Sequence, residues 1–553
     1  MRARSTMASQ NTIDPNTGFC SETGIYHSLR PKVSLPPETT PLSVADYVFS
    51  HHQISPPSPS TAALIDPSTG TRILYPEFTR RVKALAASLQ KTLGLAAGDA
   101  AFVLSPNSLQ IPILYYSLLS LGVVISPSNP ASTKPEISRQ IELCKAVVAF
   151  ATSESAEKIP LLRRGIVLLD SAEFESMMTS ETAELRRVWV NQSDTAMILY
   201  SSGTTGKVKG VELTHRNWIS VMAAVYSLAG TRTRSSTVTL CAVPYFHVYG
   251  LGLCLRVIHS GDTLAYMGPG RFELRRMLGA IQELRVSHVA ISPPVVVAMV
   301  KDSRLTNDYD LSSLQVLACG GAALRKSIVE LLRKRLPNVQ LAQAYGLTES
   351  TGRVFGTMGL EESRVEGATG KLLSNFEAKI VDPETGSALP PSMTGELWLK
   401  GPCIMKGYVG DKEATDAILD SQGWLKTGDL CYISNQGYLF FVDRLKELIK
   451  YKGYQVAPAE LEHLLHSHPN IIDAAVIPFP DEVAGQVPMA FVVKGTGSDT
   501  NELQIKDFIA KEVAPYKRIR KVRFIHSIPK SAQGKVLRKE MIKLATSDPA
   551  SKL

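Results

Sequence analysis

The apolar positions change period along the chain. "TAMILY" at 195–200 is a run of strand length, "VKGVEL" follows at 208–213, and "HRNWISVMAAVYSLAG" at 215–230 repeats at helical spacing. The alternation continues: "FELRRMLGAIQEL" predicts a helix, "VSHVAI" a strand, "PPVVVAMV" a helix entered through proline, "LQVLA" a strand and "ALRKSIVELLRKRL" a helix. Strands separated by helices need right-handed crossovers and sheets with helices on their faces, so the pattern predicts an α/β architecture up to roughly residue 400. The longest apolar run, Ile111 to Ile125, contains Pro112 and is shorter than the ~20 residues of a membrane span. It predicts a buried helix leading into a strand, and no transmembrane segment.

Beyond Gly395 the pattern shifts to strands and tight turns. "GELWLKG" precedes "LCYISNQGYLFFVDR", where Asn435, Gln436 and Gly437 mark a hairpin turn. Pro458 opens the helix "AELEHLLHSH"; the strands "DAAVIPF" and "PMAFVVK", the helix "ELQIKDFIAKEV" and the strand "VRFI" complete a smaller α+β unit. The predicted divisions are a flexible N-terminal segment 1–24, a large domain 25–442, a small domain 443–550 and a terminal tripeptide 551–553. At 553 residues the chain exceeds what a single core supports, in keeping with more than one domain.

Composition adds little. With 60 Lys and Arg against 51 Asp and Glu, the net charge of +9 suits anionic small molecules, membrane surfaces and nucleic acid alike. The 7 cysteines stand singly, with no CxxC pair or zinc spacing, which predicts reduced structural thiols. "PYKRIRKVRF" mixes basic residues with Tyr516 and Phe524, but no nucleic-acid-binding module surrounds it, so no nucleic-acid partner is expected. Residues 1–45 lack a signal-peptide apolar segment, and Met7 is an alternative start.

Candidate chemistry concentrates in "YSSGTTGKVKG". Its spacing is not that of a P-loop, yet small residues expose backbone N–H groups, Ser201, Ser202, Thr204 and Thr205 add hydroxyls, and Lys209 adds charge. The same composition also serves a plain surface loop. Its companions decide: "YSSGTTGKVKGVELTHRN", "QAYGLTEST", "GELWLKGP", "GWLKTGDLCY", "VDRLKELIKYKGYQVAPAELE" and "PKSAQGKVLRKE" occur in one characteristic order. From about residue 25 onward the chain resembles the acyl-adenylate-forming (AMP-binding) enzymes, within them the plant 4-coumarate CoA ligases and their peroxisomal relatives acting on jasmonate-precursor (oxo-cyclopentenyl-octanoate) acids.

The resemblance implies an α/β N-terminal domain of parallel or mixed sheets with a small β-barrel-like subdomain, followed by a mobile α+β C-terminal domain. It implies an acid–thiol ligase in which a carboxylate is joined to AMP with loss of pyrophosphate and coenzyme A then displaces AMP. ATP, magnesium and coenzyme A are the implied small molecules. Ser201, Ser202, Gly203, Thr204, Thr205 and Lys209 would hold the β and γ phosphates; Thr348 and Glu349 would contact phosphate and Mg2+. Gln343 and Ala344 would border the nucleotide, Asp429 would accept from the ribose hydroxyls, and Arg444 would assist. Lys535 would bridge the substrate carboxylate and the α-phosphate. Lys446 would lie at the pivot, with Lys450 and Gln455 reaching the adenylate and Arg271, Lys452 and Gly453 along the coenzyme A route.

His247 in "VPYFHVYGLG" matches a gate position in the family, although on spacing it reads equally as a hydrogen-bonded core histidine. The acyl pocket would include Tyr249, Gly250, Leu253, Gly320, Gly321 and Gly346. Here the chain departs from the family: Gly250 and Leu253 stand where 4-coumarate ligases commonly carry serines, "TESTGRV" replaces "TEAGPV", and Lys207 and Val208 replace Leu-Pro in the phosphate loop. Smaller, more apolar walls favour a long aliphatic acid over a phenol. Luciferase-like or other adenylate-forming chemistry is the alternative. The final Ser551, Lys552 and Leu553 match the address read by the peroxisomal import receptor, so a peroxisomal protein that partners this receptor is expected; separately, a monomer is expected.

Overall fold

The computed structural model describes residues 13–180, 184–201, 208–228, 237–268, 272–301, 307–321, 324, 326–452, 454–495, 497–531 and 534–546. Two helix-covered sheets dominate the larger part. In one, the strands follow the order Gly407–Tyr408, Lys209–Thr214, Thr195–Ser201, Val124–Ser128, Ala100–Leu104, Val148–Ala151 and Ile166–Leu168. From Thr195–Ser201 outward these strands run parallel, whereas Lys209–Thr214 turns back antiparallel. The other sheet has nine strands, parallel from Ala62–Ile65 to Gln340–Leu347, with short antiparallel strands at each end.

The apolar run at 111–125 becomes the helix Gln110–Ser120 and then the strand Val124–Ser128, every residue of which is buried. Pro112 is tolerated because it lies in the first turn, where its missing N–H has no partner to lose. Tyr115, Tyr116, Phe102, Phe150 and Trp218 are fully buried between the layers. Each such side chain stabilises the fold by roughly 1.5–3 kcal/mol over leaving it in water. His215 is buried with them, accepting at Nδ1 from the Val44 N–H (3.0 Å), and burial pushes its pKa down to about 4.

A third, antiparallel sheet of six strands is the small β unit the sequence implies. Phe19–Cys20 forms one edge, paired with Ile25–His27, and Leu439–Arg444 forms the other. Residues 13–24 were expected within a flexible segment; instead 14–27 form a hairpin on this sheet. Asp14 Oδ1 accepts from the Asn16 and Thr17 N–H groups, both at 2.8 Å, and Gly18 turns the chain with φ +74°. Tyr26 is buried and donates to the Leu389 carbonyl at 3.2 Å. Strands of two and three residues are too short for a period to register.

The C-terminal part has its own sheet, with Tyr454–Val456, Ile449–Tyr451, Gly485–Lys494 and Ile471–Asp481 in order and Lys521–Phe524 beside Gly485–Lys494. Alternate residues of Ile471–Asp481 feed different cores. Ala474 and Val476 pack with Leu461, Leu465 and Ile505, while Ala475 and Ile477 pack with Phe491 and Met541. Arg538 ties this part together, pairing with Glu447 (2.8 Å) and Glu462 (2.7 Å). All seven cysteines are free and buried. Among the described residues no helix is long and apolar enough to cross a membrane.

Candidate active site

Two loops leave the carboxyl ends of parallel strands, where α/β sheets open to ligands. One follows Ser201 and the other follows Leu347. At the second, Ser350 closes a 3₁₀ turn: its Oγ accepts from the Leu347 N–H (3.0 Å) and donates to the Gly352 carbonyl (2.9 Å). Thr351 then takes a left-handed backbone (φ 56°) and donates to the Cys403 carbonyl at 2.6 Å. Thr348 and Glu349 are thereby presented on a fixed turn.

Glu349 is held from a second direction. The Tyr408 hydroxyl donates to its Oε1 at 3.0 Å, and the Met405 N–H donates to its carbonyl at 2.9 Å. Lys209 lies opposite Ser201 in the strand pair and places its Nζ 4.5 Å from the Tyr408 ring centre. Burial, then the Glu349 charge, pushes the Tyr408 phenol far above its usual range. The Ser201 hydroxyl is buried and faces this phenol closely enough to favour its ionised form, yet makes no hydrogen bond with a described group. Ser201, Lys209, Glu349 and Tyr408 thus share one small polar site. One carboxylate and one hydroxyl on a turn suit a magnesium ion, which keeps most of its shell as water and phosphate oxygen. Among the described residues no group of three or more His, Cys, Asp or Glu is gathered for a metal.

Three residues back along the strand from Thr348, Tyr345 donates to Asp429 Oδ2 at 2.7 Å. Asp429 is 3% exposed and faces the Arg444 Nε at 3.5 Å, across paired strands. Burial raises the Asp429 carboxyl above the usual range, opposed by the Arg444 charge, the Tyr345 bond, Lys535 and Lys446. Lys535 joins this group from near the far end of the small domain. Burial, then Arg444, depress its amine to about 8, with Glu447 and Asp429 acting the other way. Its turn is fixed by the Ser531 N–H donating to the Lys535 carbonyl (2.8 Å), and a Cβ on Gly534 would come within 2.9 Å of Pro294 in the large domain. The Lys446 amine is lowered too, by partial burial and then by Arg444.

Asp443 sits where the chain leaves the antiparallel sheet. It is buried and accepts from the Arg444 N–H (2.7 Å) and, at the start of the helix Pro458–Ser467, from the Ala459 N–H (2.9 Å). Lys450 and Gln455 face one another in the hairpin beyond it, both exposed, and Lys452 is exposed at its tip with φ 47°. No described hydrogen bond or ion pair joins these three to Asp429 or Lys535.

His247 caps the helix Val248–His259, its Nδ1 accepting from the Tyr249 N–H at 3.3 Å, so the ring is neutral and burial lowers its pKa. Tyr249 donates to the Ala318 carbonyl at 2.7 Å and its ring lies 3.5 Å from where a Cβ on Gly320 would stand. Gly321 has φ +97°. Gly250 revises the size argument: a Cβ there would overlap the Pro244 carbonyl, so its smallness serves the seating of the helix and opens no added pocket space. Gly346 likewise clears the Gly352 carbonyl, while Leu253 is a buried apolar residue. Gln343 and Ala344 lie on the strand Gln340–Leu347, with the Gln343 N–H donating to Thr357 Oγ1 at 3.1 Å. Ser202, Gly203, Thr204, Thr205, Arg271, Gly453 and Ser551 to Leu553 lie outside the described residues.

Sequence reasoning missed Tyr408 and Tyr345. Tyr345 lies inside the quoted motif "QAYGLTEST", and only its buried contact with Asp429 distinguishes it. Tyr408 belongs to a two-residue strand beside Lys209–Thr214, too short to stand out. The assembled groups can grip a polyphosphate, hold a diol and place an ammonium group between them.

The sequence profile of the AMP-binding enzyme family matches residues 53–409, and that of the AMP-binding enzyme C-terminal domain matches 460–535. The 4-coumarate–CoA ligase-like 9 of Arabidopsis thaliana is 50% identical, with 98% of each chain covered. The peroxisomal OPC-8:0-CoA ligase 1 of the same plant is 45% identical over 97% of this chain and 99% of its own. Among solved structures, ATP-bound MatB from Rhodopseudomonas palustris superposes with a TM-score of 0.82 at 25% identity, covering 92% of this chain and all of that one. The o-succinylbenzoate CoA synthetase of Bacillus subtilis, in complex with its acyl-adenylate, gives 0.76 at 26% identity over 90% and 97% of the two chains.

Proposed function

From the premise that the chain belongs to the AMP-binding enzyme family and is an ATP-dependent acyl-CoA ligase, we propose that it activates a fatty or cyclopentenyl-alkanoic acid of the jasmonate-precursor type in preference to a hydroxycinnamate. One oxygen of the acid attacks the α-phosphorus of ATP; the bond to the β-phosphate oxygen breaks and pyrophosphate leaves. The coenzyme A thiolate then attacks the acyl carbon of the acyl-AMP, and AMP departs with the electron pair of the broken C–O bond.

Each residue has a role in this reading. Lys209 and the hydroxyl of Ser201 hold terminal phosphates, while Asp429 accepts from the ribose diol. Lys535 offsets the charge that accumulates as carboxylate and α-phosphate meet. Thr348 and Glu349 would hold magnesium, which neutralises phosphate charge when bound with the nucleotide. After adenylation the small domain turns about Asp443 to Lys446, withdrawing Lys535, bringing Lys450 and Gln455 to the adenylate and placing Lys452 along the coenzyme A route. Separate cores in the two parts are compatible with such a rigid-body motion. The observation that carries the reading is the Lys535 amine, held partly buried beside the Asp429–Arg444 pair.

The substrate preference rests on the apolar Leu253 and on likeness to a ligase named for OPC-8:0; Gly250 no longer contributes to it. The terminal Ser551, Lys552 and Leu553 support import into peroxisomes, testable by whether an N-terminal fluorescent fusion loses its peroxisomal pattern when they are removed. Thioester formation from 4-coumarate, a medium-chain fatty acid and a cyclopentenyl-alkanoic acid decides the substrate class. Turnover of 4-coumarate alone would remove the proposed preference.

A further inference from the structure

Arg353, in the segment where "TESTGRV" departs from the family pattern, is a cation with too few partners. It stands on the strand Gly352–Gly356, directly opposite Gly346 of the proposed acyl pocket. The guanidinium lies flat against Gly356, where any Cβ would overlap it. Among the described residues its one hydrogen bond runs from Nη2 to the Thr357 carbonyl at 3.0 Å, and its Nε is buried without a described partner. A guanidinium has five N–H donors in a fixed fork, so most of this one's capacity is unspent.

Among the described residues no carboxylate forms an ion pair with it. Glu362, the acid acting on it, is committed to Arg30 at 2.6 Å and to the Met358 N–H at 2.8 Å. Tyr249, Leu253 and Arg256 follow one another at helical spacing along the helix Val248–His259, so one helix face runs from the pocket to a second guanidinium. Burial, followed by Arg256 and Arg30, lowers the Arg353 pKa to about 10, which leaves it charged at neutral pH. Arg353 is half-buried, and its buried Nε–H is costly to leave without an acceptor, a cost that a ligand oxygen relieves.

We propose that Arg353 donates to an oxygen at the far end of the acyl substrate, so that the enzyme selects aliphatic acids bearing a ketone or a second carboxylate remote from the group that is adenylated. This rests on the acyl-CoA ligase reading and names the feature by which that site tells acids apart. A hydrogen bond to a charged group, present for one acid and absent for its plain analogue, discriminates by about 10–100-fold.

The test compares kcat/KM for thioester formation from octanoate, 7-oxooctanoate and octanedioate, with the wild-type enzyme, R353M and R353K. The wild type should favour an oxygenated acid about 10–100-fold over octanoate, and which one it favours separates a carbonyl partner from a carboxylate. That ratio should fall towards one in R353M and lie between in R353K, which keeps the charge but loses the fork. Equal use of octanoate by the wild type, or an unchanged ratio in R353M, would overturn the proposal. If R353M does not fold, the wild-type and R353K ratios still decide it. Absence of any thioester from every acid with folded wild type would instead defeat the ligase reading, a distinguishable failure.

Discussion

Lys535 offers a test in which the structure sets both the position and the direction of the effect. Its amine is depressed from the ordinary 10.5 to about 8, first by burial and then by the Arg444 charge. A depression of that size corresponds to about 3 kcal/mol disfavouring the ammonium form before nucleotide arrives. Adenylation needs that ammonium form, so activity should be at its plateau well below pH 8, half lost at about pH 8 and falling close to tenfold per unit above it. The assay is kcat/KM for ATP in pyrophosphate release at a saturating acid, from pH 6.5 to 10, because this parameter reports ionisations of the free enzyme. Lys535→Ala should lower it by about 100-fold or more, and Lys535→Arg should move the alkaline decline beyond pH 10 at reduced rate. A decline that persists unchanged in Lys535→Arg, or its absence from the wild type, would refute the assignment.

Three further outcomes follow from the geometry. Tyr408→Phe removes the 3.0 Å donor to Glu349 but keeps the ring under Lys209; the magnesium concentration for half-maximal adenylation should rise about tenfold, measured by titration at fixed ATP, and no rise would dismiss that role for Tyr408. Arg538→Ala leaves Glu447 and Glu462 without their partner and should cost about 3–5 kcal/mol, seen by calorimetry as earlier unfolding of the C-terminal part. His215 and His259 are held neutral by burial, with pKa values of about 4 and about 3 against an ordinary 6.5. The unfolded chain takes up protons first, so stability should fall as pH drops from 6.5 towards 4; His259→Phe, which keeps the ring beside Tyr47 and Tyr226, should flatten that loss in melting temperature measured across the range.

Long elements and ordered motifs were legible in the sequence because they repeat. The strand Thr195–Ser201, the helices His215–Leu228 and Leu274–Glu283, and the hairpin at Gly437 follow from period and turn chemistry alone. The hairpin on the third sheet did not, because two short strands joined through "SETG" and preceded by the turn "DPNTG" read as a loop until Tyr26 is seen buried against the sheet. At the site, Asp429 and Lys535 were found through their motifs, whereas Tyr345 and Tyr408 emerge only where distant segments meet. Gly250 shows the opposite error: a small residue taken as room for substrate makes room for a carbonyl of its own chain. Arg353 was visible as a departure from a pattern, but its unmet donors are a property of packing.

In the proposed reaction the acid becomes a free-standing acyl-adenylate before coenzyme A is needed. A single-turnover experiment with excess enzyme, magnesium, ATP and an aliphatic acid, followed by mass spectrometry, measures it directly. Acyl-AMP and pyrophosphate should form in equal amounts without coenzyme A, and that acyl-AMP should convert to acyl-CoA and AMP when the thiol is added. Absence of acyl-AMP with every acid tried, or pyrophosphate release that appears only in the presence of coenzyme A, would contradict it.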